Sequence, residues 1–169
     1  MRRMITLSAA AVMAIGATVF VASPANAHGY ISSPPSRQAN CARGAVSNCG
    51  DIVWEPQSVE GPKGLRNCHG NVGRFAQLSD ESKAWPAARV GRTVTFTWTL
   101  TARHRTSTWD YYVGGTRVAS INDAGRQPGS TVSHTVNLGN VTGRTKVLAV
   151  WNVYDTANAF YNCVDLQVG

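Results

Sequence analysis

Between Arg92 and Thr101 the chain reads Arg-Thr-Val-Thr-Phe-Thr-Trp-Thr-Leu-Thr, an alternation without a break. Val94, Phe96, Trp98 and Leu100 fall on one parity and five threonines on the other. A helical turn would scatter those four apolar residues around its circumference, whereas a strand puts them on one face. A strand with one apolar face needs a second layer to cover it. Further strand-like runs follow at Trp109–Val113, Thr131–Leu138, Lys146–Val153 and Ala159–Val168. Gly114-Gly115, Pro128-Gly129 and Gly139-Asn140 mark turns between them. The expectation is an all-β domain: one antiparallel β-sandwich of the immunoglobulin/fibronectin III-like kind.

Residues 31–91 differ in composition, being rich in Pro, Gly, Ser, Asn and Arg with little sustained periodicity. They predict a long loop region with short helical turns, for example Asn71–Leu78, packed on one end of the sandwich. Irregular stretches this long inside a compact domain usually serve function. The chain carries four cysteines, Cys41, Cys49, Cys68 and Cys163. An even count in an exported chain predicts two disulfides, with three connectivities open. The short spacing of Cys41 and Cys49 suits a local staple, which would leave Cys68 with Cys163. No Cys-x-x-Cys pair is present to favour zinc.

Export is expected from the first 27 residues. Arg2 and Arg3 precede an apolar run from Met4 to about Ala22, and Ala25-Asn26-Ala27 has the small-x-small pattern of a signal-peptidase site. The expected organisation is a signal peptide over 1–27 and one catalytic domain over 28–169, secreted and extracellular. No second segment is long and apolar enough to span a bilayer, so no membrane partner is expected. Loss of Arg2 and Arg3 takes the formal net charge from +7 to +5. The arginines (Arg37, Arg43, Arg66, Arg74, Arg89, Arg92, Arg103, Arg105) are scattered without a dense cluster. They read as a solvated surface, and no nucleic-acid partner is expected.

Cleavage after Ala27 would make His28 the terminal residue. Its α-amino nitrogen and its imidazole could then chelate one metal, because a terminal amine deprotonates far more easily than a lysine. One further imidazole would complete a three-nitrogen site, a donor set that favours Cu(II). His104 lies just past the alternating strand and is the candidate third donor. His134 sits inside the Val132–Val136 strand pattern and reads as an ordinary sheet histidine, while His69, beside Cys68, reads as an exposed loop residue.

Four segments together carry a resemblance. They are His28-Gly-Tyr-Ile-Ser-Ser-Pro-Pro-Ser-Arg37, Trp54-Glu-Pro-Gln-Ser-Val-Glu-Gly61, Trp98-Thr-Leu-Thr-Ala-Arg-His104 and Tyr154-Asp-Thr-Ala-Asn-Ala-Phe-Tyr161. In that order they resemble the bacterial lytic polysaccharide monooxygenases of auxiliary-activity family ten, formerly called chitin-binding proteins. The resemblance implies one copper ion held by His28 and His104. It implies Phe160 beside the axial position of the metal, Ala102 as the small residue shaping access to it, and Glu60 as an acid that hydrogen-bonds oxygen species. Trp54, Glu55 and Pro56 would form part of a flat chitin-facing surface, with Asp155 and Asn158 as further polar positions. The family more often has Tyr where this chain has Trp54, and by the same resemblance the chain is short, with 62–91 trimmed. The implied partners are insoluble chitin, an external electron donor and O2 or H2O2, acting on a monomer by C1 oxidation.

Rival readings have their own sequence grounds. A non-catalytic chitin-binding protein needs the flat surface without the histidine pair. A copper carrier needs the pair without the surface. Cellulose is the alternative substrate. A glycoside-hydrolase acid pair from Glu55 and Glu60 is set aside, because the metal motif accounts for Glu60.

Overall fold

A computed structural model describes residues 27–169, so the expected leader, apart from Ala27, lies outside the described residues. Nine strands are present there: β1 (His28–Ser33), β2 (Glu60–Pro62), β3 (Ala88–Val90), β4 (Thr93–Ala102), β5 (Thr106–Val113), β6 (Thr116–Asn122), β7 (Thr131–Asn137), β8 (Gly143–Val153) and β9 (Asn158–Val168). One short helix, α1 (Arg37–Ala42), and 3-10 turns at Gly50–Val53 and Gly73–Ser79 fall between β1 and β3. A three-stranded sheet runs β1-β4-β7, and a six-stranded sheet runs β2-β9-β8-β5-β6 with β3 also on β9. The pairings are antiparallel except that of β3 with β9. The expected β-sandwich is the fold observed.

The alternation of β4 behaves as its period requires. Val94, Phe96, Trp98 and Leu100 are buried against Trp109, Tyr111, Val147, Ala149, Trp151, Phe160 and Val164 of the other sheet. Trp109 and Trp151 stack with ring centroids 5.2 Å apart, and Trp98 tilts against Trp109 at 5.1 Å. Buried indoles need partners for their N–H groups. Trp98 donates to the Tyr111 hydroxyl at 3.0 Å, Trp109 to Asp123 Oδ2 at 2.8 Å and Trp151 to Thr106 Oγ1 at 2.7 Å. On the outer face the threonines pair across strands, Thr95 with Thr135 at 2.9 Å and Thr97 with Ser133 at 3.1 Å.

The six-stranded sheet is covered on both faces. Leu148, Val150, Tyr161 and Cys163, of opposite parity to the first core, pack under Ile52, Val59, Phe75, Leu78 and Trp85 of the loop region. Within residues 31–91, expected to pack on one end, the part from Cys41 to Trp85 lies across a sheet face instead. Double burial also explains why β8 and β9 are nearly continuous apolar runs.

Two disulfides, Cys41–Cys49 and Cys68–Cys163, realise one of the three connectivities. The second ties the loop region to β9. Arg37 corrects the solvated-surface reading, being 1% exposed. Its guanidinium grips Asp165 through Nε (2.8 Å) and Nη2 (3.1 Å), and Glu81 through Nη1 (3.1 Å) and Nη2 (2.8 Å). A planar five-donor group satisfied by two carboxylates tolerates burial that a lone charge would not.

Candidate active site

Antiparallel pairing gathers alternate strand ends at one end of the sandwich. His28 opens β1 opposite Ala102, which closes β4. Thr106 opens β5 opposite Val153, which closes β8. Asn152 of β8 faces Ala159 of β9, and Glu60 opens β2 opposite Phe160. His28, Ala102, His104, Asp155, Asn158 and Glu60 therefore share this end, although they come from both sheets.

Contacts lock the arrangement. The half-buried His28 ring lies 6.2 Å, centroid to centroid, from the fully buried Phe160 ring. Phe160 in turn packs on Trp151 at 5.0 Å, so it is both core residue and floor of the site. Gly29 gives β1 its close approach, since a Cβ there would meet Leu100 Cδ2 at 2.5 Å and Trp151 Cζ3 at 3.3 Å. Its amide donates to the Gln57 carbonyl at 3.1 Å, which ties the 54–58 loop to the start of β1.

His104 sits in the turn between β4 and β5. Its carbonyl accepts from Thr106 Oγ1 at 3.1 Å, and its Nε2 lies 2.7 Å from Asp155 Oδ1. That hydrogen bond from His104, with smaller contributions from the charges of His104 and Arg105, holds the Asp155 carboxyl below its usual range. Asn158 Nδ2 donates to Glu60 Oε1 at 2.7 Å, which fixes the direction of that carboxylate. Trp54 follows the turn Gly50–Val53 and is 86% exposed. Pro56 is half-buried in the same loop. The Glu55 carboxylate accepts from both terminal guanidinium nitrogens of Arg74.

The other two histidines lie elsewhere. His134 Nδ1 is 2.7 Å from the Tyr111 hydroxyl, its ring packs on Trp109, and burial lowers its pKa, as suits an ordinary sheet histidine. His69 is not merely exposed: it is half-buried with Nδ1 2.7 Å from Ser79 Oγ, because its neighbour Cys68 anchors that loop to β9. Among the described residues no group of three His, Cys, Asp or Glu side chains converges as a metal cage. The fit to copper therefore depends on a donor that is not a side chain, and the nitrogen of His28 is at the right residue to supply it.

Three residues escaped the sequence reading: Arg74, which engages Glu55; Gln57, which anchors the loop to β1; and Tyr154, which is 48% exposed beside the His104–Asp155 pair. Arg74, read as a solvated arginine, and Gln57, inside the Trp54–Gly61 segment, lie in the aperiodic 31–91 region, where spacing predicts no contacts. Tyr154 lies in a recognised segment, but an aromatic after a buried strand reads equally well as core.

Known proteins share this architecture. The sequence pattern of a family described as "Lytic polysaccharide mono-oxygenase, cellulose-degrading" matches residues 28–166. A "Lytic chitin monooxygenase" of Streptomyces ambofaciens is 58% identical over 168 residues, covering 99% of this chain and 97% of the relative. A lytic polysaccharide monooxygenase of Jonesia denitrificans superposes with a TM-score of 0.81 at 49% identity, over 84% of this chain and 100% of its own. An AA10 lytic polysaccharide monooxygenase from Streptomyces lividans gives 0.77 at 40% identity, over 83% and 99%. A sandwich whose one end joins His28 to Ala102 and His104 to Asp155, matched over nearly its full described length by such proteins, belongs to the lytic polysaccharide monooxygenases of auxiliary-activity family ten and is a polysaccharide-oxidising enzyme.

Proposed function

We propose that the mature protein is a secreted, copper-dependent monooxygenase that cleaves crystalline chitin by oxidation at C1. In the full chain the His28 nitrogen is a peptide amide; removal of 1–27 turns it into an amine. His28, through amine and imidazole, and His104 would then hold one copper ion. Copper supplies the one-electron chemistry by which O2 or H2O2 is activated for hydrogen abstraction, with electrons from an external donor.

The chain's own residues supply the setting. Asp155 holds the His104 ring by Nε2 and so fixes its orientation at this end of the sandwich. Glu60, steadied by Asn158, is suited to orient an oxygen co-substrate by a hydrogen bond. Phe160 keeps water from the floor of the site, and Ala102 keeps the approach uncrowded. Trp54 offers a ring face to a pyranose, while Glu55, Asp155 and Asn158 offer hydrogen bonds to acetamide and hydroxyl groups.

The observation that carries this reading is the pairing of His28 with Ala102, two residues before His104, at the strand end to which Gln57 ties the loop bearing the exposed Trp54. Chitin is preferred to cellulose because the Streptomyces ambofaciens relative, similar over 99% of this chain, is named for chitin. The family description names cellulose, so both are tested. Incubation with copper, a reductant and peroxide on β-chitin and on cellulose, followed by product mass spectrometry, should give aldonic-acid-ended chitooligosaccharides. His104→Ala and a chain begun at Met1 and left unprocessed should give none. Release of only unoxidised sugars, or equal activity of His104→Ala, refutes the reading.

A further inference from the structure

We infer that Tyr154 is a second aromatic platform of the polysaccharide-binding face, stacking a pyranose ring on the His104 side of the site. This deepens, and rests on, the chitin-active reading above. The described residues expose two large apolar side chains, Trp54 at 86% and Tyr154 at 48%. Trp54 belongs to the loop tied to β1 through Gln57, whereas Tyr154 immediately follows β8 and precedes Asp155. The two therefore reach the same end of the sandwich from different segments, one on the His28 side and one on the His104 side.

Tyr154 is held, not merely left outside. Its amide donates to the Arg105 carbonyl at 2.8 Å. The Arg105 guanidinium carbon stands 4.7 Å from the centre of its ring, and Arg105 Nε donates to the Gly125 carbonyl at 2.9 Å. Gly125 is anchored in turn by its amide, which donates to Thr106 O at 2.8 Å. A Cβ on Gly125 would sit 3.0 Å from Cε2 and Cζ of Tyr154 and 3.1 Å from Cδ2, so the glycine backbone packs directly on the ring. The φ of +80° at Gly125 independently disfavours any other residue there.

An arginine, a glycine turn and a backbone hydrogen bond thus fix an aromatic residue that is still 48% exposed. Exposed apolar surface gains nothing for folding, but a ring already ordered loses little entropy when a ligand stacks on it. Its neighbour Asp155 bonds His104 directly, so a sugar on Tyr154 would lie along the same chain that crosses the candidate metal site. The ligand class is a β-linked pyranose, whose C–H face suits an aromatic ring.

The test is binding of the processed, metal-free protein to β-chitin by sedimentation, with thermal unfolding confirming that each variant is folded. Wild type, Trp54→Ala, Tyr154→Ala and Tyr154→Phe are compared. Tyr154→Ala should lower the partition constant by roughly three- to tenfold, the scale of a single ring contact, while Tyr154→Phe should stay close to wild type. If Trp54→Ala weakens binding and Tyr154→Ala does not, this inference is wrong and the functional reading stands. Equal loss in Tyr154→Phe and Tyr154→Ala also overturns it, because the hydroxyl and not the ring would then matter. Failure of wild type to bind chitin defeats the functional reading and the inference with it.

Discussion

The two disulfides close loops of very different length, and chain entropy makes their worth separable. Cys68 and Cys163 are 95 residues apart and Cys41 and Cys49 are 8 apart. The loop-closure relation gives about 4.7 kcal/mol at 25 °C for the long loop and about 2.5 kcal/mol for the short one. With an unfolding entropy of about 2.1 cal/mol/K per residue, the domain melts with about 0.3 kcal/mol/K. Replacing Cys68 and Cys163 together by Ala should lower the unfolding midpoint by about 16 °C, and replacing Cys41 and Cys49 by about 8 °C. All four sulfurs are buried, so lost packing enlarges both drops without inverting their order. Circular dichroism melts of the metal-free protein measure both. A long-loop variant that melts no lower than the short-loop variant refutes the entropic account.

The Arg37 cluster should set the acid limit. The hydrogen bond from Arg37, aided by Lys146, lowers the Glu81 carboxyl from 4.5 to about 2. A carboxyl depressed on folding stabilises fully above its unfolded pKa and loses that contribution as pH falls through the folded value. Melting midpoints should therefore fall between about pH 4.5 and pH 2, and Glu81→Gln should flatten that slope; an unchanged slope contradicts the assignment. Gly61→Ala would drive a Cβ to 2.1 Å from the Gly70 carbonyl oxygen, backbone against backbone. We expect a loss of about 3 kcal/mol or more in urea unfolding, against about 0.5 kcal/mol or less for Gly73→Ala, which has nothing within 4 Å. Similar values for the two would mean that β2 yields more easily than its packing implies.

Legibility in the sequence followed periodicity. Expected strand 92–101 is observed as Thr93–Ala102, and 131–138 as Thr131–Asn137, because alternation of Thr with apolar residues has one solution. β6 was missed, since Thr116–Asn122 sits at a sheet edge with few buried side chains and so lacks a clean apolar parity. β1, β2 and β3 also went unread. They are short, and their burial follows contacts with distant β4 and β9, which local pattern does not encode. Helix α1 was hidden too: four of its six residues are buried, including Arg37 and Gln38, so it shows no polar face. Of the candidate site, the residue identities came from motif, but the Glu55–Arg74 pair and the ordering of Tyr154 by Gly125 are tertiary facts.

His28 and Ala102 stand on the thin sheet, while Glu60, Asn158 and Phe160 stand on the broad one. Among the described residues no strand ladder bridges the two; what separates them is a slab of indole, phenyl and phenol side chains. That slab acts as a spacer gauge. Trimming Trp98 or Trp109 would let one layer slip over the other, so damage deep in the interior should surface as misaligned chemistry before the protein melts.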